Sequence, residues 1–304
     1  MSCAVVTTSF APDFERFVRL HASVLEHSDL PHYVFVPEAD RELFERIASS
    51  SRLVIVTTRE VLPQNFMTTE WLNRTVARIS GAPGALRWAA VNRRRPWPPV
   101  RGWVLQQLVK LAAADRVDSE TLVYIDSEIE LVRPVYESTF RHGNITRLYR
   151  KPDGIDSTMM RHRAWHEHAR RLIGLPSNGS PPYDDYIGGI TSWDAALVRA
   201  CTARIGEVAG RPWQTVVGAE LEISEYILYG EYVSEFCTEA QLSFISERSL
   251  CHSYWDKAPL DRDSARRFVE GMGNDDVAVH VQSNTGTSPE VEEYIRRAVK
   301  DFIR

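Results

Sequence analysis

The chain has 304 residues, of which 43% are hydrophobic and 25% charged, with a formal net charge of −5. That length supports one large domain or two small ones with a sizeable core. The charge balance lacks the basic excess of a nucleic-acid binder, so no nucleic-acid partner is expected.

The start, MSCAVVTTSFAPDF, has neither the basic opening nor the apolar run of a signal peptide. No apolar run approaches the roughly 20 residues of a transmembrane segment, so none is expected. Cys3, Cys201, Cys237 and Cys251 are scattered without a CxxC pair, which argues against structural zinc and against a disulfide framework. A cytoplasmic, reduced protein is the expectation.

AVVTTSF (4–10) predicts a buried strand, and Phe14, Phe17, Val18, Val24 and Leu25 then fall at helical spacing. HYVFVP (32–37) predicts a second strand. Residues 38–50 predict a second helix with Leu43, Phe44 and Ile47 inward, and RLVIVTT (52–58) a third strand. This βαβαβ alternation predicts the α/β class, with a mainly parallel, Rossmann-like sheet flanked by helices. Residues 61–101 break the rhythm with Trp71, Trp88, Trp97, a Gly81-Ala82-Pro83-Gly84 turn and Pro98-Pro99. A functional lid and a packed surface excursion are both open there. The run Arg93-Arg94-Arg95 is expected as a solvated loop.

Residues 103–117 predict a helix with Val104, Leu108, Leu111 and Ala112 on its apolar face; Trp103, Gln107 and Lys110 share a neighbouring stripe. TLVYIDSEIELV (121–132) predicts a fourth strand. Residues 162–175 predict a helix whose His162, His166 and His168 lie on a solvated, Arg-rich face. YIGGITSW (186–193) predicts a strand, 194–210 a helix and VAVHVQSN (277–284) a late strand. The final helix has Ser288 as N-cap and Pro289 first.

The fourth strand poses a chemical question. LVYI is apolar on both faces, as a central strand is, yet Asp126, Glu128 and Glu130 follow it. An edge strand with solvated acids would show the same alternation. In open α/β sheets, however, ligands bind at the carboxyl ends of strands, and carboxylates two positions apart on extended chain point the same way. Asp126 and Glu128 are therefore candidate ligands for Mn²⁺ or Mg²⁺, which bridge substrate phosphates. His280 is a candidate third ligand, although a lone strand histidine is also an ordinary core residue.

Trp103, Gln106-Gln107, Lys110-Leu111, Asp126-Ser127-Glu128, Arg133-Pro134, Tyr186, Trp193, Ser224-Glu225-Tyr226, Tyr229-Gly230 and Gln282-Ser283 carry a resemblance. In this order and spacing they resemble a family of bacterial glycosyltransferases with a GT-A-like fold. The match runs from residue 4 to about 285. The resemblance implies one domain over 1–304: a nucleotide-binding half (1–134) with the insertion 61–101, and a sugar and acceptor half (135–304). It implies transfer of a sugar from a nucleoside-diphosphate sugar, UDP favoured, to a hydroxyl or amine of a sugar-containing or small-molecule acceptor. Acceptor choice would then fall to 61–101.

Asp126-Ser127-Glu128 takes the place of the family's DxD tripeptide, with Glu128 departing from the usual aspartate. The resemblance implies Asp126, Glu128 and His280 around Mn²⁺ or Mg²⁺. It implies Thr7, Thr8, Ser9, Gln107, Lys110, Asp126 and Ser127 around the nucleotide and diphosphate, and Asp184, Gly188 and Gly189 around the sugar. Glu225 and Asp185 are the candidate catalytic acids; an ordinary helix-surface glutamate and a solvated loop aspartate are the open alternatives. With Glu225 as base the reaction inverts configuration; with Glu225 only binding sugar, retention stays open. Two alternatives remain: a non-catalytic nucleotide or sugar binding module with a degenerate metal site, and a sugar nucleotidyltransferase. Against the second, TTSFAPDF lacks a Gly-rich basic loop.

Overall fold

The structure, a computed structural model, describes residues 2–47, 52–69, 88–242 and 244–303. The first elements alternate as expected: β1 (Cys3–Thr8), α1 (Phe14–His27), β2 (His32–Val36), α2 (Arg41–Glu45) and β3 (Leu53–Thr57). The insertion supplies β4 (Phe66–Thr68), β5 (Trp88–Asn92) and β6 (Arg95–Arg101), a small antiparallel sheet with Arg93-Arg94 at its exposed turn. Trp71 and the Gly81–Gly84 turn lie outside the described residues.

Next come α3 (Gly102–Ala112), β7 (Thr121–Ile125), β8 (Ile129–Leu131), α4 (Met160–Leu172), β9 (Ile190–Asp194) and α5 (Ala195–Ala209). The remaining major elements are α6 (Glu225–Phe236), β10 (Cys251–Tyr254), α7 (Arg262–Glu270), β11 (Ala278–Val281) and α8 (Pro289–Phe302). Ser288 caps α8 by accepting from the Val291 N–H.

The central sheet has the order β9-β7-β1-β2-β3 and is parallel except for β9. Side chains of its middle strands alternate between two cores. Ala4, Val6, Leu122 and Tyr124 join Leu108 of α3, Val198 of α5 and Ile227 of α6. Cys3, Val5, Val123 and Ile125 join Phe17, Leu20 and Val24 of α1. Burial on both faces is why LVYI has no polar position. The fold is thus mixed α/β, a mostly parallel sheet flanked by helices. No described helix is long and apolar enough to cross a membrane.

The expected single strand over 121–132 is instead two strands in two sheets. The Ile129 N–H turns back to the Asp126 carbonyl at 3.0 Å, which ends β7. β8 then pairs antiparallel with β11 in a separate sheet, β10-β11-β8. Asp126-Ser127-Glu128 is the crossing between the sheets. The expected solvated histidine face on α4 is also corrected. His166 is buried, stacked on Tyr183 at 3.9 Å between centroids, with Nε2 3.2 Å from Glu231.

One close contact locks α6 to the chain before β9. A Cβ on Gly230 would lie 2.1 Å from the Tyr186 ring, whose hydroxyl is held by Ser234 at 2.9 Å. Alanine suits a helix better than glycine by about 1 kcal/mol, yet Gly230→Ala should destabilise by about 2–3 kcal/mol through overpacking. Urea unfolding checks this; an unchanged midpoint would show that Tyr186 steps aside freely.

Candidate active site

A cleft of about 260 Å³ opens at the carboxyl ends of β1 and β7. Thr8 and Ser127 reach it from the strand ends, Gln107 and Lys110 from α3, and Glu225 and Tyr226 from α6. Gln282 and Ser283, just past β11, close another side. The parallel strands dictate this position, because their loops all leave at one edge.

Lys110 is the electrostatic centre. Its Nζ lies 3.0 Å from Asp126 Oδ1 and 3.1 Å from Glu225 Oε1, and donates to the Tyr226 hydroxyl at 2.8 Å. Three partners match the three N–H bonds of an ammonium. Burial alone would drive its pKa down, but Asp126, Tyr226 and Glu225 hold it well above the usual lysine value. The side chain is therefore a fixed positive charge.

Glu225 is 2% exposed. Ser224 caps α6 by accepting from the Ile227 N–H, and Gln107 Oε1 accepts the Glu225 N–H at 2.6 Å. The acid is thereby pinned at the first turn of the helix. Burial pushes its carboxyl above the ordinary range, against the pull of Lys110. Oε2 is buried and finds no hydrogen-bond partner among the described residues. A buried carboxylate oxygen left without a partner is costly, and here it belongs to a residue that lines the cleft.

Asp126 is more open, with 45% of its side chain exposed. Glu128 takes a hydrogen bond from the Ser283 N–H at 2.8 Å and contacts His280 Nε2 at 3.1 Å. Burial would raise its pKa, but these contacts hold it below the usual carboxylate value. Asp126, Glu128 and His280 do not form a ready ligand set: among the described residues no three His, Cys, Asp or Glu side chains converge on a metal position. The donor chemistry nonetheless suits a hard cation. Mg²⁺ is commonly held by one or two carboxylates together with substrate phosphates rather than by a full protein cage. Asp126 and Glu128 line one cleft and would supply that pair. Asp13 adds a fourth acid beside Asp126, Glu128 and Glu225, against Lys110 and Arg16, so the cleft carries an excess of acids.

Thr8, Gln107, Lys110, Asp126, Ser127, Glu128 and Glu225 are thus brought together. Thr7 and Ser9 sit beneath the cleft. Thr7 donates to the Ile125 carbonyl at 2.7 Å, and Ser127 donates to Ser9 at 3.0 Å, tying the β1 loop to the acidic tripeptide. Asp184, Asp185, Gly188 and Gly189 lie off the cleft wall. Asp184 pairs with Arg150 at 3.6 Å, and Asp185 accepts from the Ile187 N–H at 3.0 Å, its carboxyl pushed up by burial. Gly189 makes room for Cys251 and Ser253, and Gly188 for Tyr149. Asp13 and Arg16 line the cleft without having been singled out. Their signal was placement: the helix after the first strand of such a sheet begins at the ligand edge.

The backbone is similar to that of mouse xyloside xylosyltransferase 1 in its apo form: TM-score 0.48, 11% identity, 95% of this chain and 100% of that one. It is also similar to galactosyltransferase LgtC in complex with donor and acceptor sugar analogues: TM-score 0.44, 11% identity, 98% of this chain and 95% of that one. No curated protein matches the chain. The model of a family of unknown function, DUF6492, matches residues 3–303, and the chain belongs to that family.

Proposed function

We propose that the protein is a glycosyltransferase that takes a sugar from a nucleoside diphosphate, UDP favoured, and passes it to an acceptor hydroxyl. One observation carries this. A buried ammonium, Lys110, is shared by Asp126, at the carboxyl end of β7, and Glu225, on the first turn of α6. It offers a cation for a leaving diphosphate and, next to it, an acid with a free oxygen.

In the transfer, the acceptor oxygen bonds to the anomeric carbon while the bond from that carbon to the diphosphate oxygen breaks. The acceptor proton goes to the Glu225 carboxylate, whose basicity burial raises above that of an exposed glutamate. Lys110 and Arg16 meet the charge that develops on the diphosphate. Mn²⁺ or Mg²⁺ held by Asp126 and Glu128, with His280 behind Glu128, would neutralise more of that charge. Attack opposite the leaving group, assisted by Glu225, inverts configuration.

Calorimetry tests the donor site. Mn²⁺ alone is expected to bind weakly, because its protein ligands are not preassembled, whereas UDP with Mn²⁺ should bind at least roughly tenfold tighter than UDP in EDTA. Asp126→Ala and Glu128→Ala should each remove that gain. Equal UDP affinity with and without Mn²⁺ would sink the metal assignment, and no binding of any nucleoside diphosphate would sink the donor site.

A further inference from the structure

We propose, on the glycosyltransferase reading of the cleft, that Trp103 and Arg161 form a platform that seats a pyranoside acceptor beside Glu225. Trp103 stands on the first turn of α3, lines the cleft and is 42% exposed. Its ring is nonetheless fixed. Nε1 donates to the Ile223 carbonyl at 3.0 Å, and the indole stacks on Trp165 at 5.9 Å between centroids, 15° from parallel. The Arg161 guanidinium lies 5.6 Å from the Trp103 ring and 4.8 Å from that of Trp165. Glu222 accepts from Arg161 at 2.9 Å and from Trp165 Nε1 at 3.1 Å, so both partners are held by one carboxylate.

One stretch of chain builds the platform and the acid together. Glu222 orients Arg161 and Trp165, Ile223 orients Trp103, Ser224 caps α6, and Glu225 is the buried carboxylate. A rigid aromatic face set among polar groups offers both surfaces that a ligand of mixed character presents. The slightly positive C–H face of a pyranose suits the negative face of an indole. Arg161, with 58% of its side chain exposed, keeps N–H donors at the platform edge for ring hydroxyls.

Of the groups assigned to the nucleotide, Thr8 comes from β1, Arg16 from α1 and Ser127 from the crossing, while Gln107 and Lys110 lie one and two turns further along α3 from Trp103. Only the acceptor hydroxyl must reach Glu225. A ring held by the acid's own segment therefore suits the acceptor better than the base of the donor. This places acceptor recognition on α3, α4 and residues 222–223.

The test uses saturation-transfer NMR with methyl β-glucopyranoside and methyl β-galactopyranoside as probes, with UDP titrated in parallel. At least one glycoside should receive saturation from the wild type and from Trp103→Phe. In Trp103→Ala its affinity should fall roughly tenfold while UDP affinity stays within about twofold. Arg161→Gln leaves the indole in place and should weaken the glycoside by about threefold, which carries the test should Trp103→Ala unfold. Glycoside transfer unchanged in both variants overturns the proposal, as does its absence in the wild type. Loss of UDP binding in place of glycoside binding would make Trp103 a base-stacking residue and also overturns it. A wild type that binds glycosides but no nucleotide sinks the donor-site reading alone, and the sugar platform stands.

Discussion

Lys110→Met should remove most nucleotide affinity and destabilise the fold by about 3 kcal/mol, roughly 5 °C in Tm for a chain of this length. Methionine matches the length of the stem but leaves Glu225, Asp126 and the Tyr226 hydroxyl without their shared donor. Removing one member of a buried ion pair is among the more severe single changes, because the remaining charge stays desolvated. Two features temper it here. Asp126 is partly exposed and regains water, and Glu225, already raised by burial, escapes by taking a proton. That escape gives the loss a pH signature. A carboxyl whose folded pKa lies above its unfolded value stabilises fully below the unfolded pKa, and that contribution fades as pH rises through the folded one. Without Lys110 the raise is larger, so the deficit should be small near about pH 4 and grow towards about pH 8. Urea unfolding at both pH values measures it. The double variant Lys110→Met with Glu225→Gln should recover part of the loss at the higher pH. A variant that keeps wild-type stability and UDP affinity would show that Lys110 is a bystander.

The central sheet was legible because its strands obey a simple rule. Buried on both faces, β1, β2 and β7 carry unbroken apolar runs, and helical spacing fills the gaps between them. The break between β7 and β8 was hidden by the same periodicity. IDSEIEL alternates whether it continues one strand or crosses to another, and the deciding partner, β11, arrives about 150 residues later. The histidine face of α4 failed for a related reason. His166 looks solvated beside Arg163 and Arg170 until Glu231 on α6 is brought against it.

Within the site, Asp126 and Glu128 were marked by a strand ending in acids, whereas Lys110 and Glu225 needed the resemblance. Each sits on a helix as a charged residue that would ordinarily face water. Only packing shows the first turn of α6 against α3, with Gln107 capping the Glu225 N–H. The acids and glycines of 184–189 lie off the cleft lining, and local structure accounts for them. Asp184 and Asp185 hold local loop geometry, and Gly188 and Gly189 make room for neighbouring side chains.

Glu225→Gln should lower turnover by roughly a hundredfold to ten-thousandfold and leave folding and UDP affinity nearly intact. Glutamine keeps an acceptor for Lys110 and the same volume, so the packing of α6 against α3 survives. What it loses is the ability to take a proton at Oε2, the oxygen left without a partner among the described residues. Binding and turnover therefore separate in this variant, whereas a non-catalytic binding module would show no turnover to lose. The pH profile adds an independent check. A base must be ionised to work, so wild-type kcat/KM should fall as pH drops through the Glu225 pKa, which burial places above the ordinary carboxylate range. That acid limb should vanish in Glu225→Gln. In Glu225→Asp it should persist on a lower plateau, because the shorter side chain remains a base set back by one methylene. An acid limb unchanged in Glu225→Gln would assign it to another group, and turnover within about threefold of wild type would remove Glu225 from the chemistry altogether.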